Sequence, residues 1–166
     1  MTAPLKASDA NNGPGLLSGT DGTSGTQLSA SGGAQLQLNA LKAIGVQAIL
    51  VEIGFPMLYA PFLASQDPTY PQQVANYYRA VANAVRAARL KLVIENDVLP
   101  VSDVAANWDV APFYATLNWT QYQAARAQTA VTIAELMQLD YMVLLQESAT
   151  EAGESRQSEA NTTSGS

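Results

Sequence analysis

The chain has 166 residues, 48% of them hydrophobic, which is enough apolar material for one domain of ordinary size. It contains neither cysteine nor histidine, so disulfides, thiol nucleophiles, Ser-His-Asp triads and His- or Cys-bound metals are excluded. Its net charge of −6 argues against nucleic acid or an anionic membrane as a partner. No apolar run approaches the roughly 18 residues of a transmembrane helix, and no signal peptide is visible at the start. Any catalysis is therefore expected to use carboxylates, Tyr, Ser or Lys.

Composition divides the chain into three parts. Residues 1–33 are rich in Gly, Ser, Thr and Asn and predict loop or disorder, with Leu16 and Leu17 as the stub of a first strand. Residues 34–152 alternate between helix-like and strand-like patterns, which predicts one α/β domain. Residues 153–166 return to Ser, Thr, Glu and Gly and predict a disordered tail.

The first helix is predicted over residues 34–44, with the serine-rich residues 29–31 as its cap. Gly45 takes the position just past the helix end. A buried strand is expected over residues 46–53, because an aliphatic run there stops at Gly54. The apolar residues at helical spacing in the first helix are Leu36, Ala40, Leu41 and Ile44.

Two more helix-strand pairs follow. A helix over residues 71–89 precedes a strand over residues 90–95. A helix over residues 121–138, capped by Thr120, precedes a strand over residues 141–147. The loop of about 20 residues between these pairs is long enough to suggest a functional role. The residues expected on the buried sides of the two helices are Val74, Tyr77, Tyr78, Val81, Ala82, Val85 and Ala88, then Tyr122, Ala125, Thr129, Ile133, Leu136 and Met137.

Each of the three predicted strands ends on or near a glutamate: Glu52, Glu95 or Glu147. Aliphatic runs of this kind are typical of strands buried in a parallel sheet, and right-handed crossovers set such strands side by side. The carboxylates are then expected at one carboxyl edge, where α/β folds place their chemistry. The predicted fold is α/β, a partial (β/α)8 barrel with three to four parallel strands and flanking helices.

Three segments, residues 45–56, 90–95 and 141–152, resemble the N-terminal half of a clan A (β/α)8 glycoside hydrolase. The family they resemble most is the family 53 (endo-β-1,4-galactanase-like) group. In that group the fourth strand ends in a motif that reads roughly Gly/Asn-Glu-Pro-Asp-Thr-Glu. The matching residues here are Gln146, Glu147, Ser148, Ala149, Thr150 and Glu151.

The resemblance implies hydrolysis of O-glycosidic bonds in a polysaccharide, with Glu147 as the general acid/base. The family's nucleophile is a second Glu at the end of the seventh strand, and this chain stops just after the fourth. The resemblance therefore implies a truncated or degenerate enzyme, whose ability to act alone is open. Relatives of this type are exported, which implies an extracellular or periplasmic location.

Two groups of residues are candidates for contact with sugar. The polar candidates are Glu52, Glu95, Asn96, Gln146 and Glu151, and the aromatic candidates are Trp108, Tyr114, Trp119 and Tyr59. Carboxylates and amides bind sugar hydroxyls, and flat apolar rings stack on sugar faces. The alternative is that the carboxylates are simply solvated at the mouth of the sheet, while the aromatic residues hold the loops in place.

Other functions remain open at this stage. A non-enzymatic α/β domain could bind carbohydrate or protein, and open sheet edges could promote self-association. Arg126 could pair with a strand-end carboxylate or expose its charged head on a buried stem. No cofactor is expected, and a hard cation such as calcium on the carboxylates is the weaker alternative.

Overall fold

The computed structural model describes residues 5–6, 33–99, 110–144 and 148–162 of the chain. The strands are β1 (Leu5–Lys6), β2 (Ala48–Glu52), β3 (Lys91–Glu95) and β4 (Tyr141–Val143). The helices are α1 (Gly33–Ala43), α2 (Ala60–Gln66), α3 (Tyr70–Ala87), α4 (Ala111–Ala115), α5 (Trp119–Met137) and α6 (Ser148–Ser155), and a 3-10 turn covers Ser158–Asn161. Among these residues, no helix is both long and apolar enough to cross a membrane.

The four strands form one parallel sheet in the order β1-β2-β3-β4. Leu50 of β2 lies in register with Val93 of β3, which lies in register with Tyr141 of β4. The predicted α/β class with neighbouring parallel strands is confirmed. Within the described ranges the sheet is open, because nothing pairs β4 back to β1, and these residues form no closed barrel.

One face of the sheet is buried against the helices. Side chains alternate between the two faces of a strand, and partners in register share a face. Ile49, Val51, Leu92 and Ile94 are almost fully buried and belong to the hydrophobic core. Leu50 and Val93 on the other face are only half-buried. The core therefore lies on one side of the sheet.

The helices of the core follow the predicted periodicity in two cases out of three. In α3, Tyr77, Tyr78, Val81, Ala82 and Val85 are buried, as predicted. In α5 the predicted inward residues Tyr122, Ala125, Thr129, Ile133 and Met137 are buried, and Leu136 packs against the core.

The cap of α5 differs from the prediction. Asn118, not Thr120, is the N-cap, and its side-chain oxygen accepts a hydrogen bond from the backbone N–H of Gln121 at 3.0 Å. The Gln121 side chain accepts one in return from the Asn118 backbone N–H. This reciprocal capping box satisfies two backbone donors, which a threonine inside the first turn cannot do. The helix therefore begins at Trp119, earlier than predicted.

The buried side predicted for α1 is right at Leu41 but wrong at Leu36 and Ile44. Leu36 and Ile44 are 70% and 80% exposed, whereas Leu38 is fully buried and Leu41 packs against the core. The helix has several apolar residues, and only docking against the sheet selects which of them point inward. Gly45 has φ 94°, and its N–H bonds the Lys42 carbonyl oxygen, as a residue just past a helix end does.

The ends of the chain also differ from expectation. A two-residue strand at Leu5–Lys6 pairs with β2 inside the segment predicted as loop, while Leu16 and Leu17 lie outside the described residues. The tail predicted as disordered includes the end of α6 and the 3-10 turn. Gln157 is buried there, and its side-chain amide donates to the carbonyl oxygens of Tyr114 and Leu117. Polar composition predicted disorder, yet specific hydrogen bonds hold this segment.

Candidate functional site

The candidate site is the carboxyl edge of the sheet, where β2 and β3 each end on a glutamate. Glu52 and Glu95 are partners in register on adjacent parallel strands, so their side chains leave the same face. That face is the one turned away from the helical core. Glu52 is buried and Glu95 is half-buried. The tertiary structure therefore brings together the first two of the three predicted acidic strand ends.

Backbone pairing continues beyond the strand ends and makes this edge rigid. The N–H of Ile53 donates to the Glu95 carbonyl oxygen at 2.8 Å, and the N–H of Phe55 donates to that of Asp97 at 2.9 Å. The N–H of Leu99 then donates to the Phe55 carbonyl oxygen at 2.8 Å. The two segments that leave the sheet are thus held side by side.

Tyr114, predicted to stack on sugar, is a core residue. It is 1% exposed, and its hydroxyl lies 2.6 Å from the Phe55 carbonyl oxygen and 3.0 Å from that of Leu99. Its ring also stacks on that of Phe55 at 5.9 Å. Since the ring has no solvent-facing side, the stacking prediction for Tyr114 is wrong. The residue instead ties the two strand extensions to α4.

Asn96 is likewise part of the framework. It is 1% exposed, and its amide nitrogen donates to the Ile53 carbonyl oxygen at 2.7 Å. Its side-chain oxygen accepts from Nη1 of Arg126 at 2.8 Å, and its backbone N–H donates to the Val143 carbonyl oxygen at 2.9 Å. Both ends of the amide are therefore occupied within the fold, so the prediction that Asn96 contacts sugar is not favoured by this arrangement.

Arg126 of α5 organises the carboxyl edge. Its guanidinium donates to Oε1 of Glu151, Oδ1 and O of Asn96, O of Asp97 and O of Leu144, at 2.8 to 3.1 Å. The side chain is 11% exposed, so the predicted exposed head is wrong, and the ion pair that forms is with Glu151 of α6 and not with a strand-end carboxylate. One side chain thus joins the ends of β3 and β4 to α6, because the planar guanidinium has donors in several directions.

Glu151 is the carboxylate partner of Arg126. Its Oε1 also accepts a hydrogen bond from the Tyr122 hydroxyl at 2.6 Å, and the residue is 6% exposed. Burial, followed by the hydrogen bond to Glu151, raises the pKa of Tyr122 well above its ordinary value. Glu151 therefore anchors α6, and its predicted contact with sugar is replaced by this internal network.

Among the described carboxyl groups at this edge, Asp97 has the most strongly shifted pKa. Burial and the nearby Glu95 carboxylate raise its pKa from 3.8 to about 6, although Arg126 opposes the shift. Burial and Glu151 also raise the pKa of Glu154. The edge therefore combines a protonatable aspartate with neighbouring acidic groups, as general acid–base sites do.

The predicted acid/base, Glu147, lies outside the described residues, and so do Gln146 and Trp108. Of the strand predicted over residues 141–147, β4 covers Tyr141–Val143, and residues 145–147 lie outside the described residues. Val143, not Glu147, is the partner of Glu95 in register.

Trp119 and Tyr59 take part in an aromatic cluster. Trp119 is the first residue of α5 and stacks on Tyr122 at 5.6 Å. The ring of Tyr59 lies 5.9 Å from Phe55 and 5.8 Å from Phe113. Both are half-buried, so each keeps part of its surface accessible. These contacts support the alternative interpretation, in which the aromatic residues hold the loops in place.

Sequence reasoning did not identify Tyr122 and Glu154 as members of this edge. Tyr122 was assigned only to the core. A signal for its role was present, because Tyr122 and Arg126 are four residues apart on α5 and hence share a helix face. No sequence signal links Glu154 to Asp97, since their proximity depends on how α6 docks.

In the part of the chain that the structure describes, no group of three or more acidic residues could hold a metal ion. No protein-family model matches the chain, and no curated protein or solved structure matches it either. These results neither support nor oppose the resemblance to glycoside hydrolases, which stays a prediction.

Proposed function

We propose that this chain is a glycoside-hydrolase-like domain, built as part of a (β/α) barrel, which binds polysaccharide at the carboxyl edge of its sheet. The main support for the proposal is that Glu52 and Glu95 lie in register on adjacent strands, on the face opposite the helices. In a (β/α) barrel the helices surround the sheet, and active sites lie at the carboxyl ends of the strands. The sequential parallel order of β1 to β4 is also that of a barrel segment.

In this proposal Glu147 is the general acid/base, while Glu52 and Glu95 accept hydrogen bonds from sugar hydroxyls. A general acid must stay protonated near the working pH, which burial and nearby carboxylates achieve. The pKa of about 6 at Asp97 supports the view that this edge can impose such a shift. Retaining hydrolysis also needs a second carboxyl group about 5–5.5 Å from the first, which family resemblance assigns to a later strand.

The test separates binding from hydrolysis. Purified protein is titrated with β-1,4-linked galactan oligosaccharides and followed by calorimetry, and release of reducing ends is measured on the same samples. Glu95→Gln is expected to weaken binding, whereas Glu147→Gln is expected to abolish any hydrolysis and leave binding intact. Glu159→Gln, at an exposed position in the 3-10 turn, is the matched control and should change neither. Absence of both binding and hydrolysis with a panel of β-linked polysaccharides would refute the proposal.

A second candidate, a non-enzymatic domain that binds carbohydrate or protein, is favoured by one observation. Asn96, Tyr114 and Glu151 are buried, and their polar groups are hydrogen-bonded within the fold. An edge that uses so many polar groups for its own support has fewer left for catalysis. Saturable binding of oligosaccharide, with no release of reducing ends by the wild-type protein, would favour this candidate over the enzyme.

A further inference from the structure

Residues 148–162, the strap, pack against the carboxyl edge with little apolar contact. The strap comprises α6 and the 3-10 turn, and its hydrophobic residues are three alanines, of which only Ala160 is buried. Within the described ranges, none of its side chains belongs to the main hydrophobic core. Segments with few buried apolar contacts open locally at a lower free-energy cost than the whole protein. The strap is therefore a part of this edge that can detach while the core stays folded.

Polar contacts hold the strap in place. Oε1 of Glu151 accepts hydrogen bonds from Nε of Arg126 at 3.1 Å and from the Tyr122 hydroxyl at 2.6 Å. Further along the strap, the side-chain amide of Gln157 donates to two carbonyl oxygens in and after α4, at 3.3 and 3.2 Å. Because the first of these anchors is an ion pair, docking of the strap depends on the other charges at this edge.

The charges around this ion pair are mostly negative. Two carboxyl groups belong to the strap, and two more belong to the end of β3 and the segment that follows it. In the part of the chain that the structure describes, Arg126 is the basic group that reaches this edge, and the acidic groups are Glu95, Asp97, Glu151 and Glu154. Glu52 of β2 lies beside Glu95, in register with it. When these carboxyl groups are all ionised, the strap and the strand ends repel each other, while Arg126 attracts both.

Asp97 and Glu154 are the two carboxyl groups that face each other across the docked surface and are disposed to hold protons. Burial and the Glu95 carboxylate raise the pKa of Asp97 to about 6, and Glu154 adds to the shift while Arg126 opposes it. Burial and the Glu151 carboxylate likewise raise the pKa of Glu154. Each of the two groups is therefore easier to protonate when the strap is docked.

Other ionisable groups near the docked surface do not drive this change. The tyrosine hydroxyl groups that face these carboxyl groups stay protonated, because burial raises the pKa of each well above its ordinary value; they are Tyr78, Tyr114 and Tyr122. Arg156 and Glu159 of the strap are exposed, so water and salt screen their charges. The pH dependence of docking is therefore expected to come from Asp97 and Glu154.

The direction of that dependence follows from linkage. Docking brings burial and Glu154 to Asp97, whereas Glu95 stays beside Asp97 whether the strap is docked or not, so only part of the Asp97 shift belongs to docking. A group whose pKa is higher in the docked state favours docking at low pH, and this contribution is lost as pH rises through the docked-state value. For Asp97 the window lies between 3.8 and about 6. Docking is thus weaker at neutral pH than in mild acid.

We propose that the strap is a pH-sensitive cover of the carboxyl edge, docked in mild acid and released more often as Asp97 and Glu154 ionise. Release uncovers the Arg126 guanidinium and the Tyr122 hydroxyl, both of which are bonded to Glu151 when the strap is docked. The edge then gains a positive charge and a hydroxyl group that are open to solvent. The inference does not rest on the proposed function, and it is tested without sugar.

A single introduced thiol measures how often the strap opens, because the chain has no cysteine. Ser155 of the strap and Thr129 of α5 are both 0% exposed, and each hydroxyl donates to the carbonyl oxygen four residues earlier. Ser155→Cys and Thr129→Cys are therefore a matched pair. The rate at which each thiol reacts with a dithiodipyridine reagent is divided by the rate for an unstructured peptide thiol at the same pH.

This relative rate is expected to rise roughly tenfold for Ser155→Cys between pH 5 and pH 7.5, since a docking-linked shift of about one pKa unit changes the opening equilibrium tenfold. Thr129→Cys is expected to react at least about tenfold more slowly at every pH, because its exposure requires the core to unfold. A relative rate for Ser155→Cys that does not change with pH, or equal rates for the two variants, would overturn the proposal.

Neutral substitutions identify the groups that drive release. In the Ser155→Cys chain, Asp97→Asn and Glu154→Gln are each expected to reduce the rise severalfold, because the strap then stays docked at pH 7.5. Glu159→Gln, which changes an exposed glutamate of the same strap, is the matched control and should leave the rise unchanged. A rise that persists in full in both Asp97→Asn and Glu154→Gln would rule out this mechanism.

Hydrogen exchange of the unaltered chain covers the case in which a cysteine variant does not fold. After correction for the intrinsic pH dependence of exchange, the backbone amides of the strap are expected to lose roughly tenfold in protection between pH 5 and pH 7.5. The amides of α3, which belong to the core, should remain more strongly protected at both pH values. Equal protection of the strap at the two pH values would contradict a pH-sensitive cover.

Discussion

The two ends of the parallel sheet are held in different ways. At the carboxyl end, buried Arg126 joins β3, β4 and α6 through charged and backbone partners, with Glu151 at 3.1 Å. At the amino end, Lys91 and Asp140 form an exposed pair at 2.6 Å. The pair with the shorter distance is the cheaper one to break, because water screens and solvates exposed charges, whereas a charge left unpaired in a buried site stays desolvated. Burial, not distance, therefore decides how much it costs to break each ion pair.

Removing the basic side chain from each ion pair is expected to give the largest difference in stability between the two ends. Arg126→Met leaves Glu151 buried without its counter-charge and is expected to lower the free energy of unfolding by about 3–5 kcal/mol. Lys91→Met, the matched change at the exposed end, is expected to cost much less, because water screens this pair and solvates the carboxylate that is left. Urea denaturation of both variants makes the measurement. Equal losses at the two ends would show that burial does not separate these pairs.

Two glycines extend the comparison to the backbone. Gly54, at the carboxyl end, has the Leu99 side chain 2.7 Å from where a Cβ would lie, so Gly54→Ala is expected to cost about 1–3 kcal/mol through overpacking. Gly45, at the amino end, has open space around it but φ 94°. Gly45→Ala is expected to cost about 1–2 kcal/mol through backbone strain.

The two causes can be told apart in the same denaturation experiment. Leu99→Ala removes the side chain that clashes and should reduce the cost of Gly54→Ala when the two changes are combined. The same background should leave the cost of Gly45→Ala unchanged, since no atom of Leu99 is near Gly45. A cost for Gly54→Ala that is independent of Leu99 would contradict the packing explanation.

The carboxyl end is also expected to carry a pH dependence. The pKa of Asp97 rises from 3.8 to about 6 on folding, so the folded state binds the extra proton between these values. Stability should therefore fall as pH rises through this window, because the unfolded state releases that proton first. Asp97→Asn is expected to remove this slope and to add about 1–2 kcal/mol at pH 7, after allowance for solvent screening. Thermal unfolding of both proteins between pH 4 and pH 7 measures how stability depends on pH. An unchanged slope in the variant would assign the effect to another group.

The smallest effect concerns Gly153 in α6. A Cβ there meets no atom within 4 Å, and its φ is not positive. Gly153→Ala is therefore expected to raise the free energy of unfolding by about 0.5–1 kcal/mol, because alanine favours helix. The change strengthens the helix that Arg126 and Glu151 hold at the carboxyl end. A destabilised variant would mean that α6 is packed more tightly at this position than its surroundings indicate.

The sequence by itself determined the α/β class, the parallel neighbours and the buried stripes of α3 and α5. These follow from local periodicity, since aliphatic runs and helical spacing act over a few residues. The absence of cysteine and histidine likewise fixed which chemistry the chain can use. Glu52 and Glu95 were predicted at one edge because parallel strands place their ends together.

Only the tertiary structure decided how the residues of that edge are used. Whether Tyr114 and Asn96 face a ligand or the core depends on partners that are distant along the chain, such as Phe55 and Arg126. The same holds for Arg126, whose charge is buried only because α6 brings Glu151 to it. Periodicity records which face of an element is apolar, but it contains no information on which polar groups meet when separate elements dock.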